Sequence, residues 1–197
     1  ARLYPNGPVD LRPRVRLLLD DGSVPYLPDW RWIPTPGHSP GHVSFYREDD
    51  GVLIVGDAFV TTRPESAVAM LKQRPELHGP TAFSTCDWNA AGRSVRELAA
   101  LRPLIVATGH GRPMAGEALQ KGLDHLAANF EHLAVPEHGR YVDHPAVTDE
   151  DGIVSVPPPL KSHVPLVLAG LGAAAVVGML LRKRGSKGDG AGRDDGK

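Results

Sequence analysis

The sequence predicts an α/β layer architecture followed by a single membrane-spanning helix, and three observations lead there. Short runs with strand patterning alternate with segments of helical periodicity. Three residues with metal-ligand chemistry close successive strand signals beside glycine, and an uncharged stretch of membrane length stands near the C-terminus. The 197 residues, 41% of them apolar, suffice for one domain with an appendage. A formal net charge of -1 gives no global field that would attract nucleic acid, so no nucleic-acid partner is expected. The lone cysteine, Cys86, cannot form an internal disulfide and leaves the compartment open.

In chain order, residues 15–19 read as a first strand, Asp20 to Ser23 as a turn, and a Pro-punctuated edge reaches Trp30 to Ile33. Residues 42–46 alternate as a strand, and Glu48-Asp49-Asp50-Gly51 makes a hairpin turn. Residues 52–55 are a fully apolar run suited to a strand covered on both faces, which ends at Gly56-Asp57. Thr62, with Pro64 and Glu65 after it, predicts a capped helix to Gln73, stopped by Arg74-Pro75. Asp87 or Thr85 can cap a second helix, whose Trp88, Ala91, Val95 and Leu98 share a face. Pro103 then introduces a strand over 104–107 that delivers Thr108-Gly109-His110-Gly111. Residues 116–133 form a third helix with Leu119, Leu123, Leu126, Phe130 and Leu133 on one stripe.

The expected organisation is a domain over 1–140, a Pro-rich linker over 141–163, a transmembrane helix over 164–181 and a basic, polar flexible tail over 182–197. The eighteen residues of 164–181 carry no charge. As a helix they span about 27 Å, against roughly 30 Å of hydrocarbon. Arg182, Lys183, Arg184 and Lys187 outnumber Lys161 on the other flank, which favours a cytoplasmic C-terminus. A cytoplasmic domain on a tail anchor is the alternative.

Within Pro36-Gly37-His38-Ser39-Pro40-Gly41-His42, glycines and prolines bend the backbone so that an imidazole can be presented at a strand end. Asp57 closes the apolar strand and His110 closes the later one. An α/β sheet gathers residues from the C-terminal ends of separate strands into one crevice. Two imidazoles and a carboxylate suit zinc, or iron in a two-His, one-carboxylate site. Phe59, Thr61, Arg63, Cys86, Trp88, Arg112 and Tyr141 are candidates to shape the pocket, with Phe59, Arg63, Trp88 and Arg112 the substrate-contacting ones. Cys86 has no basic partner beside it in sequence that would make it a nucleophile. His125 and His132 fall off the apolar stripe, and His78, His138, His144 and His163 lack ligand spacing.

PGHSPGH, the strand ending in GDAF, and ATGHG, in that order with helices between, resemble the second half of the metallo-β-lactamase superfamily, near its glyoxalase II-like and lactonase-like members. The resemblance covers roughly residues 15–132. It implies the second half only of an αββα sandwich, with His38 binding one metal, Asp57 bridging two, His110 binding the other, and His42 orienting the loop or a ligand by hydrogen bonding. It also implies two zinc ions that activate water for attack on an ester, thioester, lactone or similar bond of a small-molecule substrate. The family's H-x-H-x-D-H run is missing from these residues, and the chain starts at Ala1. The expectation is therefore a C-terminal fragment with about half of the site, inactive alone. Two other functions fit the same residues: a mononuclear-iron oxidoreductase resembling persulfide dioxygenases, and a non-catalytic membrane-tethered module.

Overall fold

A computed structural model describes residues 16–63, 75–149 and 152–159. Alternating apolar residues and one tight turn produce the first three strands, β1 (Trp30–Pro34), β2 (Val43–Arg47) and β3 (Val52–Gly56), paired as an antiparallel meander. The turn between β2 and β3 needs Gly51 at φ +64°, and Arg47 grips Asp50 through Nε at 2.9 Å and through a second nitrogen at 2.7 Å.

After β3 the chain crosses through helix α1 (Trp88–Ala100) to strand β4 (Ile105–Thr108), which lies parallel to β3. A two-residue strand β5 (Met114–Ala115) completes a five-stranded sheet in the order β1-β2-β3-β4-β5. Helix α2 (Gly116–Ala128) and the short α3 (Phe130–Leu133) follow. Of the two candidate caps for α1, Asp87 is the one used: its carboxylate accepts the Ala90 N–H at 2.9 Å, whereas the Thr85 hydroxyl donates to the Thr81 carbonyl.

The sheet has two unlike faces. Ile33, Tyr46, Leu53, Val55, Val106 and Met114 point into a core shared with Val95 and Leu98 of α1, Leu119, Leu123 and Leu126 of α2, and Phe130. On the opposite face the register aligns Trp32, Phe45, Ile54 and Ala107 in one row, and Arg47, Val52 and Ile105 in the next. This face is apolar yet incompletely covered: Ile54 is 42% and Ile105 41% exposed. The β3 run that predicted burial on both faces is thus buried on one.

Several boundaries differ from expectation. Residues 16–19 are irregular rather than a strand, and Ser23 alone bridges to Arg31. The helix read as continuous over 116–133 breaks at Asn129 (φ -124°, ψ 26°), so Leu133 leaves the apolar stripe and is 48% exposed. The stretch read as linker contains an antiparallel hairpin, β6 (Val147–Asp149) and β7 (Gly152–Ser155), whose turn uses Gly152 at φ +128°. Thr62 and Arg63 are not helical, and the remainder of the helix expected to Gln73 lies outside the described residues, as do the 164–181 segment and the tail after it. Among the described residues no helix is long and apolar enough to cross a membrane.

The two sheet faces predict different mutational costs. Leu98 is fully buried, and Leu98→Ala should lower stability by about 2–5 kcal/mol. Ile105→Ala should cost no more than about 0.5 kcal/mol in this chain. Denaturant titration of both variants checks this, and equal costs would mean that the second face is covered.

Candidate metal centre

Strand direction determines which ends meet. Because β1 and β3 are both antiparallel to β2, and β4 is parallel to β3, the C-terminal ends of β1, β3 and β4 share one sheet edge. His38 follows β1, Asp57 follows β3 and His110 follows β4. The His38 Nε2 lies 3.6 Å from Asp57 Oδ2, and the His110 Nε2 lies 3.7 Å from Asp57 Oδ1. Two histidines distant in sequence thus converge on the Asp57 carboxylate, one imidazole to each oxygen.

The PGHSPGH loop is held by the start of α1. The Gly37 carbonyl accepts the N–H groups of Cys86 at 2.9 Å and Asp87 at 3.0 Å, and the Ser94 hydroxyl donates to the Pro36 carbonyl at 2.8 Å. Gly37 takes φ +137°, and a Cβ there would collide with the Ala91 backbone. Cys86 serves the same loop: its thiol donates to the Gly37 carbonyl at 3.3 Å, and burial, with the nearby Asp87 charge, pushes its pKa up, opposite to what a nucleophile needs. Ser84 Oγ lies 3.5 Å from His38 Nδ1, on the side of the ring away from the nitrogen that faces Asp57.

On the other flank, the Gly109 N–H donates to the Gly56 carbonyl at 2.7 Å and the Thr61 N–H to the His110 carbonyl at 3.0 Å. The Thr108 hydroxyl donates to the His110 carbonyl at 2.8 Å, and the Thr61 hydroxyl to the Arg112 carbonyl at 2.7 Å. Both turns around Asp57 require glycine for space. A Cβ on Gly109 would strike Asp57 Oδ1, and one on Gly56 (φ +61°) would lie 2.6 Å from His42 Nε2.

His42 faces inward with both ring nitrogens engaged. Its Nε2 accepts the Asp57 backbone N–H at 2.9 Å, and its Nδ1 lies 2.8 Å from Thr35 Oγ1. Burial foremost, and then the neighbouring His38 charge, lower its pKa, so the ring favours the neutral form.

Asp57 Oδ1 is buried and has no hydrogen-bond partner. An uncompensated carboxylate oxygen away from water is costly, and a divalent cation between it and an imidazole nitrogen removes that cost. The donor chemistry therefore fits a metal. Among the described residues no three of His, Cys, Asp and Glu are gathered into a complete site. The geometry agrees, since His38 and His110 approach different oxygens of Asp57 and form two incomplete donor pairs.

The expected pocket wall needs correction. Phe59 and Trp88 are buried in the core, Trp88 against Phe130 at 6.4 Å between centroids, and neither offers a surface to a ligand. Thr61 is buried too, and it holds backbone carbonyls. Arg63 lines a cavity with Glu76, His78 and His125 that contains none of His38, Asp57 and His110. Tyr141 stacks under Arg140 at 5.2 Å. Arg112 stays exposed, two residues after His110. Thr35, Ser44 and Thr108 were not singled out from sequence. For Ser44 a signal existed, a hydroxyl at the core-facing position of a strand between Val43 and Phe45.

Residues 1–110 match the metallo-beta-lactamase superfamily, and the chain belongs to that family. Its relatives in Bacillus subtilis (strain 168) include the probable metallo-hydrolase YflN, 46% identical over 131 residues, which covers 66% of this chain and 50% of the relative. Another is the probable metallo-hydrolase YybB, 30% identical over 93 residues, covering 47% of this chain and 37% of the relative. The chain thus spans half or less of the length of these proteins. Among solved structures, a metallo-beta-lactamase family protein from Thermus thermophilus, TTHA1429, is 27% identical, with a TM-score of 0.34, over 52% of this chain and 30% of that one.

The glycine requirement at the site is testable by thermal unfolding. Gly109→Ala should destabilise by about 1–3 kcal/mol through collision with Asp57. Gly41→Ala, with nothing within 4 Å of the added carbon, should stay within about 0.5 kcal/mol of the parent.

Proposed function

We propose that this chain contributes the His38, Asp57 and His110 half of a metallo-hydrolase centre that acts on an ester, thioester, lactone or similar bond. The observation that carries the reading is the unpartnered, buried Oδ1 of Asp57 with an imidazole nitrogen beside each carboxylate oxygen. In this reading His38 and His110 each hold one cation and Asp57 holds both, with zinc preferred for this mix of nitrogen and oxygen donors. Bound zinc supplies Lewis acidity that makes water a nucleophile near neutral pH. The residues of the chain do the rest. The glycine turns keep Asp57 and His110 at fixed separation, and α1 keeps the His38 loop in place.

The remaining ligands, in this reading, come from a complementary half that packs on the open face of the sheet. Half-buried Trp32, Phe45 and Val52, with exposed Ile54 and Ile105, form a continuous apolar surface of the kind that sheet-on-sheet packing covers. The length relative to YflN supports the same view. Residues 164–181 are proposed to anchor the protein in a bilayer with Lys197 on the cytoplasmic side, supported by the uncharged run and by the Arg182-Lys183-Arg184 flank. Protease added to intact cells should then release the folded domain, and full protection would place it in the cytoplasm.

Asp57→Ala in the complete protein should abolish turnover and weaken zinc binding by more than roughly 100-fold, beyond what changes outside the ligand sphere cause, with an unchanged far-UV circular dichroism spectrum. Retained activity would remove the assignment. Elemental analysis of the purified parent protein adds a second check, because one iron per chain in place of zinc would replace hydrolysis with oxidation chemistry.

A further inference from the structure

A buried hydroxyl chain runs from the carbonyl of Val55 back to the amide of Asp57, and its direction can be derived from both ends. At one end, the Asp57 backbone N–H can only donate, so His42 Nε2, 2.9 Å away, must carry a lone pair. At the other end, the Ser44 hydroxyl donates its single proton to the Val55 carbonyl at 3.0 Å. Ser44 must therefore accept from Thr35, whose Oγ1 is 3.0 Å away. Thr35 has then used its own proton, so it must accept from His42 Nδ1 at 2.8 Å. Both ends demand the same state of the ring, neutral with its proton on Nδ1.

Thr35 and Ser44 are each fully buried, which makes a reversed or broken chain expensive. The chain also starts and finishes on either side of one residue. Val55 and Asp57 flank Gly56, where β3 leaves its regular register with β4 and the backbone turns at φ +61°. Thr35 and His42 of the β1–β2 loop, with Ser44 of β2, thus clip the end of β3 across that kink.

We propose that Thr35 and Ser44 are positioning residues for Asp57: by holding His42 as its Nδ1–H tautomer they fasten the Asp57 amide and aim its carboxylate between His38 and His110. The effect on metal affinity rests on the function proposed above, whereas the clamp itself does not.

The test uses the full isotope-labelled chain and follows the ring nitrogens of His42 and the exchange of the Asp57 amide by NMR. The parent should show a protonated Nδ1 and a lone-pair Nε2, and the opposite tautomer would overturn the proposal without any variant. Thr35→Val removes the acceptor at nearly constant volume. It should shift the ring towards the Nε2–H form and speed Asp57 amide exchange by about tenfold, the scale of one lost intramolecular hydrogen bond. Thr35→Ser should restore the parent spectrum. Ring signals and amide exchange unaltered by Thr35→Val would sink the clamp, and Ser44→Ala reads the same chain one link further along if that variant does not fold. In zinc titrations of the complete protein Thr35→Val should weaken binding by about 10–100-fold and Thr35→Ser should reverse the loss. A complete protein with the expected ring spectrum but no zinc binding supports the clamp and counts against the metal reading alone.

Discussion

The parallel pairing of β3 with β4 is the constraint on which the rest of this molecule depends. Parallel strands need a crossover, and α1 provides it. The same helix that makes the connection also receives the Gly37 carbonyl at its start, so the His38 loop is located by the element that positions β4. One topological requirement therefore places all three candidate ligands. The strand ends are linked directly, from the Gly109 N–H to the Gly56 carbonyl at 2.7 Å, and the Asp57 carboxylate leaves no room for a side chain at residue 109.

Much of this was legible in the residues themselves. Glycine beside His38, Asp57 and His110 marked backbone turns at strand ends, and each lies in a turn where glycine is required by φ or by space. The stripe of Leu119, Leu123 and Leu126 and the capping by Asp87 follow from local rules of helix geometry and are found as expected. What local rules miss is tertiary. Residues 16–19 have the composition of a strand but no regular partner, and the β6–β7 hairpin forms through cross-strand pairing that a Pro-rich reading conceals. Trp88 and Phe59 looked available as ligand contacts because aromatic residues near a site often are. Burial depends on which face a helix or strand turns inward, and both turn theirs into the core.

The buried hydroxyls are the least legible part. A threonine or serine on a strand reads as a neutral choice, and only the distances among Thr35, His42, Ser44 and Val55 show that the four form one directed chain. Polar groups in a low-dielectric interior are stabilising only when every donor and acceptor is matched. Here each is matched, whereas Asp57 Oδ1 is left over. The contrast within a few ångströms separates groups that hold the fold from the carboxylate oxygen proposed above to hold a cation.

The open sheet face has no hold on the three candidate ligands. Every restraint on His38, Asp57 and His110 described above originates within this chain, on the side of the sheet covered by α1 and α2 or at its edge. The geometry of these side chains therefore does not depend on whatever covers Ile54 and Ile105. Held from that side alone, the three side chains keep their arrangement whether Ile54 and Ile105 meet solvent or another surface.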